Sequence, residues 1–312
     1  MGPTIAVAFG AGLASALLFA SLATGNPLAF ALFYFAALPV LIAGLGWGAY
    51  AGAFAGAIGA LALSLFIGSR FGLAFFFSVG FPAWILAHLV LSWREPKPDT
   101  ADDGWMPSGH ILAAIGVGGV ALTLFGIVVL FGIDYDTYRA ALRQMVERTI
   151  RITGANGGPD MAKLAPTLTA VLPLAGGVVW TFVTALNLFL AARIVRASDR
   201  LVRPWPDLPS LKLPLWTVGG LLIGSLGSFF DGLFGHIAGI VLAIGLAVYS
   251  LAGLALVHDL TRGWAFRGPA LGVLYALTIL NGWPLIFVAL AALADVLFDL
   301  RGRRQPPPPT PT

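Results

Sequence analysis

The sequence predicts an all-α, polytopic membrane protein: a transmembrane helical bundle of about ten spans, in the range eight to ten, with both termini cytoplasmic and one interfacial amphipathic helix at about 135–153. Three observations predict it. The 312 residues are 58% hydrophobic and 10% charged; a soluble domain carries about 25% charged residues, and so few charges could not cover a water-facing surface. Apolar stretches of about 20 residues, the length that crosses a bilayer, recur along the whole chain. Lysine and arginine concentrate in alternate connections between them.

The expected helices, in order, are Thr4–Thr24, Pro27–Leu45, Trp47–Gly68, Leu73–Trp93, His110–Ile133, Leu164–Arg193, Leu213–Phe234, His236–Val257, Gly263–Leu280 and Trp283–Leu300. Glycine, proline and asparagine punctuate them, as at Gly25-Asn26-Pro27 and Asn281-Gly282. The ninth stretch has the shortest apolar core. Thr4–Thr24 lacks a basic leading region and is expected to be a retained helix rather than a cleaved signal. Residues 1–304 are expected to form one transmembrane domain, and 305–312, in "RRQPPPPTPT", a disordered proline-rich tail.

Orientation follows from the cations. With ten spans and an inside N-terminus, twelve of the eighteen lysines and arginines fall in inside connections and six outside. Four of those six, Arg139, Arg143, Arg148 and Arg151, sit in "DYDTYRAALRQMVERTIRIT". There Tyr138, Leu142, Met145, Thr149 and Ile152 share one helical face and Arg139, Arg143, Glu147 and Arg151 another. Asp134 or Asp136 can cap the start, and Arg143–Glu147–Arg151 offers i,i+4 pairs. A helix lying flat on the outer membrane surface is the leading expectation; a lid over an external cavity is the alternative.

Several function classes are excluded or weakened. The chain has no cysteine, which removes disulfides, thiolate catalysis and cysteine-based metal sites. It has no GxxxxGK[ST] loop, so it carries no P-loop ATPase of its own. No His/Asp/Glu cluster shows metal-ligand spacing; no metal and no cofactor are expected. The net charge of +4 is not read as a nucleic-acid signal, because the cations sit in loops between apolar segments and report topology instead. "PSGH" at Pro107–His110 equals the central motif of lipid-phosphatase-type membrane enzymes. The upstream Lys…Arg-Pro and downstream Ser-Arg…His…Asp elements are missing, so Ser108 and Gly109 are expected to start a helix.

Small residues form stripes. Ala8, Gly12 and Ala16 share a face of the first helix, and Gly48, Gly52 and Gly56 a face of the third. Such spacing lets two backbones approach closely. Packing within the chain is the expected use; docking of another membrane subunit is the alternative.

Ionisable or strongly polar groups inside spans are costly, so each is a functional candidate. Trp180 and Asn187 share a face of the sixth helix with Thr184. Asp231 and His236 stand near the outer end of the seventh and eighth helices. Asp295 and Asp299 share a face of the last helix, with Arg301 following. Asparagine at 187 can glue helices or contact substrate. Asp295 can pair with a neighbouring arginine such as Arg193 or Arg262, or serve as a coupling site. Trp180, Asn187, Asp231, His236, Asp295 and Asp299 are thus the substrate or coupling candidates, and no catalytic residue is assigned.

"RPWPDLPSLKLPLW", Arg203–Trp216, is expected to be a semi-rigid cytoplasmic strap, because Pro204, Pro206, Pro209 and Pro214 each lack a backbone donor. Trp205 and Trp216 suit the headgroup layer; Arg203 and Lys212 suit an anionic leaflet.

"LPVLIAGLGWGAYAG", "DDGWMPSGHILA", "LPSLKLPLW" and the terminal "ALADVLFDLRGRR" together resemble the YybS-like family of bacterial predicted membrane proteins, over nearly the whole chain. The resemblance implies a multi-pass protein of the bacterial cytoplasmic membrane and transfers no activity or catalytic residue. The glycine- and alanine-rich N-terminal helices are more remotely similar to substrate-capture subunits of energy-coupling-factor transporters, which bind a small molecule and dock on a separate ATP-driven module. Two functions are therefore expected. One is a small-molecule transport component without its own ATPase, its partners the lipid bilayer, an unknown small molecule and another membrane subunit. The other is a non-transport scaffold or assembly factor that binds a protein. The first predicts an outward cavity of about 300 Å³ or more; the second predicts a filled bundle and an exposed apolar groove.

Overall fold

The structure is a computed structural model, and it describes residues 2–96, 103–152 and 159–302. The proline-rich tail and Lys97 lie outside these residues. The described elements are helical: α1 (Gly2–Ala20), α2 (Pro27–Tyr34), α3 (Ala37–Trp47), α4 (Ala49–Phe66), α5 (Ser69–Phe75), α6 (Phe81–Leu91), α7 (Ser108–Phe131), α8 (Tyr135–Ile152), α9 (Pro159–Ala197), α10 (Trp216–Gly227), α11 (Gly232–Leu260), α12 (Arg267–Asn281) and α13 (Pro284–Phe298). A π-turn, Phe76–Gly80, joins α5 to α6, and one isolated antiparallel bridge joins Trp93 to Trp105.

Seven helical stretches are long and apolar enough to cross a membrane: Gly2–Thr24, Pro27–Trp47, Ala49–Phe66, Ser69–Leu91, Ser108–Phe131, Leu164–Ala197 and Gly232–Leu260. The remaining expected spans are shorter. Helices α10, α12 and α13 have 12, 15 and 15 residues, about 18–22 Å of helix against a hydrocarbon core of about 30 Å. The seventh apolar stretch begins and ends outside its helix. Leu213 and Leu215 belong to the strap behind Pro214, and Phe229 and Phe230 to the turn before Gly232, whose φ of 77° favours glycine.

By their contacts the described residues form two compact units: 1–118 with 182–206, and 119–181 with 207–312. Helices α7 and α9 contribute a stretch to each unit.

In the first unit α4 is central, contacted by α1, α3, α5 and α6. Glycine makes this possible. A Cβ on Gly12 would sit 2.5 Å from the Ala55 carbonyl oxygen; on Gly52, 3.0 Å from the Gly44 Cα; on Gly56, 3.0 Å from the Gly80 Cα. Ala8 and Ala16 are buried on the same side of α1. Backbones this close gain dispersion energy that larger side chains would forbid. Gly48 does not belong to this stripe. It is the joint between α3 and α4, with φ 97° and open space where a Cβ would stand. Its spacing matched the stripe, but its role is conformational.

Helices α2 and α3 were expected as one span and are broken at Phe35–Ala36. The Leu38 amide turns to the Phe35 carbonyl, and the Tyr34 carbonyl accepts from Asn187 Nδ2 at 2.7 Å instead. The same Nδ2 donates to Val183 at 2.8 Å. Asn187 is fully buried, so this is helix-to-helix glue where a break leaves an acceptor needing a donor.

In the second unit α11 is central, packed on α10 and α13. A Cβ on Gly253 would collide with the Val288 carbonyl oxygen, so glycine sets the α11–α13 approach. Thr217 and Tyr249 hydroxyls bond at 2.7 Å between α10 and α11, and Ser250 donates to the Leu285 carbonyl at 3.0 Å.

The strap divides between the units. In the first, the Arg196 guanidinium lies 4.9 Å from the Trp205 ring centroid, and Phe189 meets that ring edge-on. Arg203, expected to face headgroups, is buried, with Nη1 3.4 Å from the Val90 carbonyl. In the second unit, Pro206 is followed by Asp207, which binds Arg262 at 2.5 Å, and by a 3₁₀ turn, Leu208–Ser210. Lys212, also expected at the leaflet, pairs with Asp299. That bond holds the Asp299 carboxyl below the usual carboxylate range. Pro214 accepts from Thr217 Oγ1 at 2.8 Å where α10 begins, and Trp216 is exposed.

Asp295 is buried and pairs with Arg301 at 2.6 Å. The expected partners, Arg193 and Arg262, do not fill that role. The difference arises from the chain's return: Asp299 adopts φ 49°, ends α13 and turns the backbone so that Arg301 comes back to Asp295. Aspartate is among the few non-glycine residues that adopt this conformation readily.

Candidate functional site

The site is assembled in the second unit from α8, the first part of α9, and the turn into α11. Helix α8 forms because Asp134 caps it, accepting from the Thr137 amide at 2.8 Å, and because Arg143 and Glu147 pair one turn apart at 2.9 Å. The Thr137 hydroxyl, and then its amide, hold the Asp134 carboxyl below its ordinary value. Arg151's side chain lies outside the described set. The buried face of α8 is Tyr138, Leu142 and Val146, with Ala165 and Thr169 of α9 buried as well. Met145, expected on the apolar face, is exposed, as is Thr149. The stripe runs at 138, 142 and 146, every fourth residue, and is narrower than the sequence pattern implied.

Beneath this helix lies a cavity of about 670 Å³, lined by Tyr135, Asp136, Tyr138, Arg139, Arg143, Thr169, Asp231 and His236 among others. Its floor is aromatic. The Tyr138 hydroxyl and His236 Nε2 are 3.1 Å apart, and the Tyr135 ring stands 5.8 Å from the imidazole, centroid to centroid. Burial pushes the Tyr138 hydroxyl up to about 12, with Tyr135 nearby adding to the rise. The rim is charged. Arg139 lies over the Tyr135 ring at 5.7 Å, and Asp231 precedes α11 without capping it. The Thr169 hydroxyl donates to Ala165 at 2.8 Å. Such a lining offers donors, acceptors, π-faces and both signs of charge. Its size falls in the range of small-molecule sites, about 300–1,000 Å³.

Asp231 and His236, two of the sequence candidates, meet at this cavity. Trp180 and Asn187 do not line it, and Asp295 and Asp299 hold the strap instead. Tyr135, Tyr138 and Arg139 were missed as site residues because their segment reads as a surface anchor. The signal that could have found them is two tyrosines three residues apart facing a histidine that starts another helix. Among the described residues, no group of three or more His, Asp or Glu side chains could hold a metal ion. Ser108 begins α7 and His110 is exposed there.

A family model described as predicted membrane protein (DUF2232) matches residues 13–296. The chain belongs to this family. The match spans every described helix from within α1 to within α13, so the cavity and the strap of this DUF2232 protein both lie in the family region. Comparison with curated proteins and with solved structures finds no match.

Proposed function

We propose that this DUF2232 protein is a small-molecule transport component of the bacterial cytoplasmic membrane that lacks its own ATPase, and that it holds its ligand in the cavity under α8. The cavity of about 670 Å³, with aromatic floor and charged rim, carries this reading. A lid is the natural role for α8 here, because its tyrosines pack against His236 at the start of α11 and its Arg139 and Arg143 line the exposed side of the cavity. The reading keeps with it the resemblance to YybS-like proteins and, more remotely, to the capture subunits of energy-coupling-factor transporters. Such a component needs a separate energy source. The small-residue stripe at Gly12, Gly52 and Gly56 is occupied by packing within the chain, so an energising partner needs another surface.

A protein-binding scaffold is the second reading. One observation favours it: α12 buries none of its residues.

The test is native mass spectrometry of the protein purified from its own membrane, beside Ala170→Trp, which fills the cavity from an exposed lining position. The transport reading expects a small molecule retained by the wild type and lost in the variant. A stoichiometric protein partner with no retained small molecule supports the scaffold and contradicts transport.

A further inference from the structure

We infer that the cavity under α8 takes a zwitterion, a ligand carrying one anionic and one ammonium group; this rests on the cavity being a ligand site. The cavity carries unmatched charge of both signs. Arg139 lines the cavity, where its guanidinium lies over the Tyr135 ring at 5.7 Å. Among the described residues, no carboxylate lies within ion-pair reach of it: the pairs there join Arg143 to Glu147, Lys212 to Asp299, Arg262 to Asp207 and Asp259, and Arg301 to Asp295. Two carboxylates line the same cavity, Asp136 and Asp231. Among the described residues, neither enters an ion pair or a side-chain hydrogen bond. Asp231 stands at a helix N-cap, where an aspartate ordinarily bonds a backbone amide, and makes no such bond. Asp134, not Asp136, caps α8.

Opposite charges held apart in one cavity match a ligand that carries both signs. A guanidinium with free donors fits a carboxylate or phosphate fork. A carboxylate in a cavity that two tyrosines also line fits an ammonium, which also gains from the π-faces. A purely anionic ligand would leave Asp231 and Asp136 facing it with like charge, and a purely cationic one would face Arg139; each is rejected by repulsion. The shared chemistry has two sources, a free amino-acid-like metabolite or the headgroup of a zwitterionic lipid.

The experiment uses the full chain in nanodiscs of phosphatidylglycerol alone, followed by thermal unfolding. The probes are a pool of amino acids with uncharged side chains, the same pool N-acetylated, and the same pool as methyl esters. A parallel arm adds phosphatidylethanolamine to the discs. The zwitterion assignment expects a rise in melting temperature with the free amino acids and not with either singly charged pool. It also expects half-saturation weakened by about tenfold or more in both Arg139→Gln and Asp231→Asn. Both positions are exposed, so both variants should fold. A rise in the phosphatidylethanolamine discs that both variants abolish identifies the headgroup as the source. The assignment is overturned by no rise in either arm, by an equal rise with an N-acetylated or ester pool, or by a rise that survives both substitutions. If mass spectrometry finds a neutral or singly charged molecule that Ala170→Trp excludes, the zwitterion falls and the cavity reading stands.

Discussion

Arg301 and Asp295 form a buried ion pair that reaches back across the end of α13: Nε donates to Oδ2 at 2.8 Å, Nη2 lies 2.6 Å from Oδ2, and the Arg301 amide donates to Oδ1 at 3.1 Å. The same guanidinium donates to the Pro209 and Leu211 carbonyls, each at 2.7 Å. The strap is rich in prolines and outside any α-helix, so these carbonyls have no helical donors of their own. One arginine satisfies two of them, and Asp295 neutralises the arginine. The strap is therefore clamped to the C-terminal segment rather than merely laid on a surface.

Replacing Asp295 by Asn or Arg301 by Met removes one partner of a buried pair and leaves the other uncompensated. The expected destabilisation is about 3–5 kcal/mol. Arg301→Lys should recover little, because an ammonium lacks the planar fork that serves three acceptors at once. Thermal unfolding in detergent measures the loss, and limited proteolysis should show earlier cleavage within residues 207–215.

The small-residue packing gives a paired prediction. Gly12→Ala and Gly56→Ala place a methyl against backbone atoms at 2.5 Å and 3.0 Å and should cost about 1–3 kcal/mol by overpacking. Gly10→Ala has nothing within 4 Å; it should be neutral or stabilising by up to about 1 kcal/mol. Unfolding of the three variants side by side checks the contrast.

Asn187 is tested by chemistry rather than size. Asn187→Leu leaves the Tyr34 carbonyl without its donor, at about 1–2 kcal/mol. Asn187→Asp replaces that donor with an acidic group in a fully buried place, so it should destabilise more than Asn187→Leu. Equal losses in an unfolding series would contradict the donor role.

Tyr138 predicts an alkaline signature. Its pKa rises from 10.0 to about 12 on folding. A raised folded value means the stabilisation is fully present below pH 10 and is lost as pH climbs through about 12. Ultraviolet titration of the folded protein should lose one tyrosine's ionisation near pH 12 in Tyr138→Phe. The variant should also lose less stability over that interval.

Much of the fold was legible because hydropathy and helix signals are local. The start of α8 at Tyr135 follows from the Asp134 cap, and its helical course is supported by the Arg143–Glu147 spacing. Span lengths were less legible, since apolar residues continue through unwound turns: Phe229 and Phe230 look like helix and are turn. The partner of Asp295 was hidden because it depends on a left-handed Asp299, which no periodicity announces. At the site, Asp231 and His236 stood out as polar residues in apolar sequence. Tyr135, Tyr138 and Arg139 did not, because tyrosine and arginine are ordinary at a membrane surface. Gly48 shows the converse: it satisfied the packing pattern and serves a turn.

The central claim is that the cavity under α8 is a ligand site. The chain has no cysteine, so a single introduced thiol reports without background. Ala170→Cys lies in the cavity lining; Ser210→Cys lies outside it and serves as control. The measurement is the rate of labelling by a water-soluble maleimide, with and without a small-molecule extract of the source cells. The account predicts that the extract slows labelling at Ala170→Cys several-fold and leaves Ser210→Cys unchanged. Equal rates at Ala170→Cys with and without the extract would contradict it.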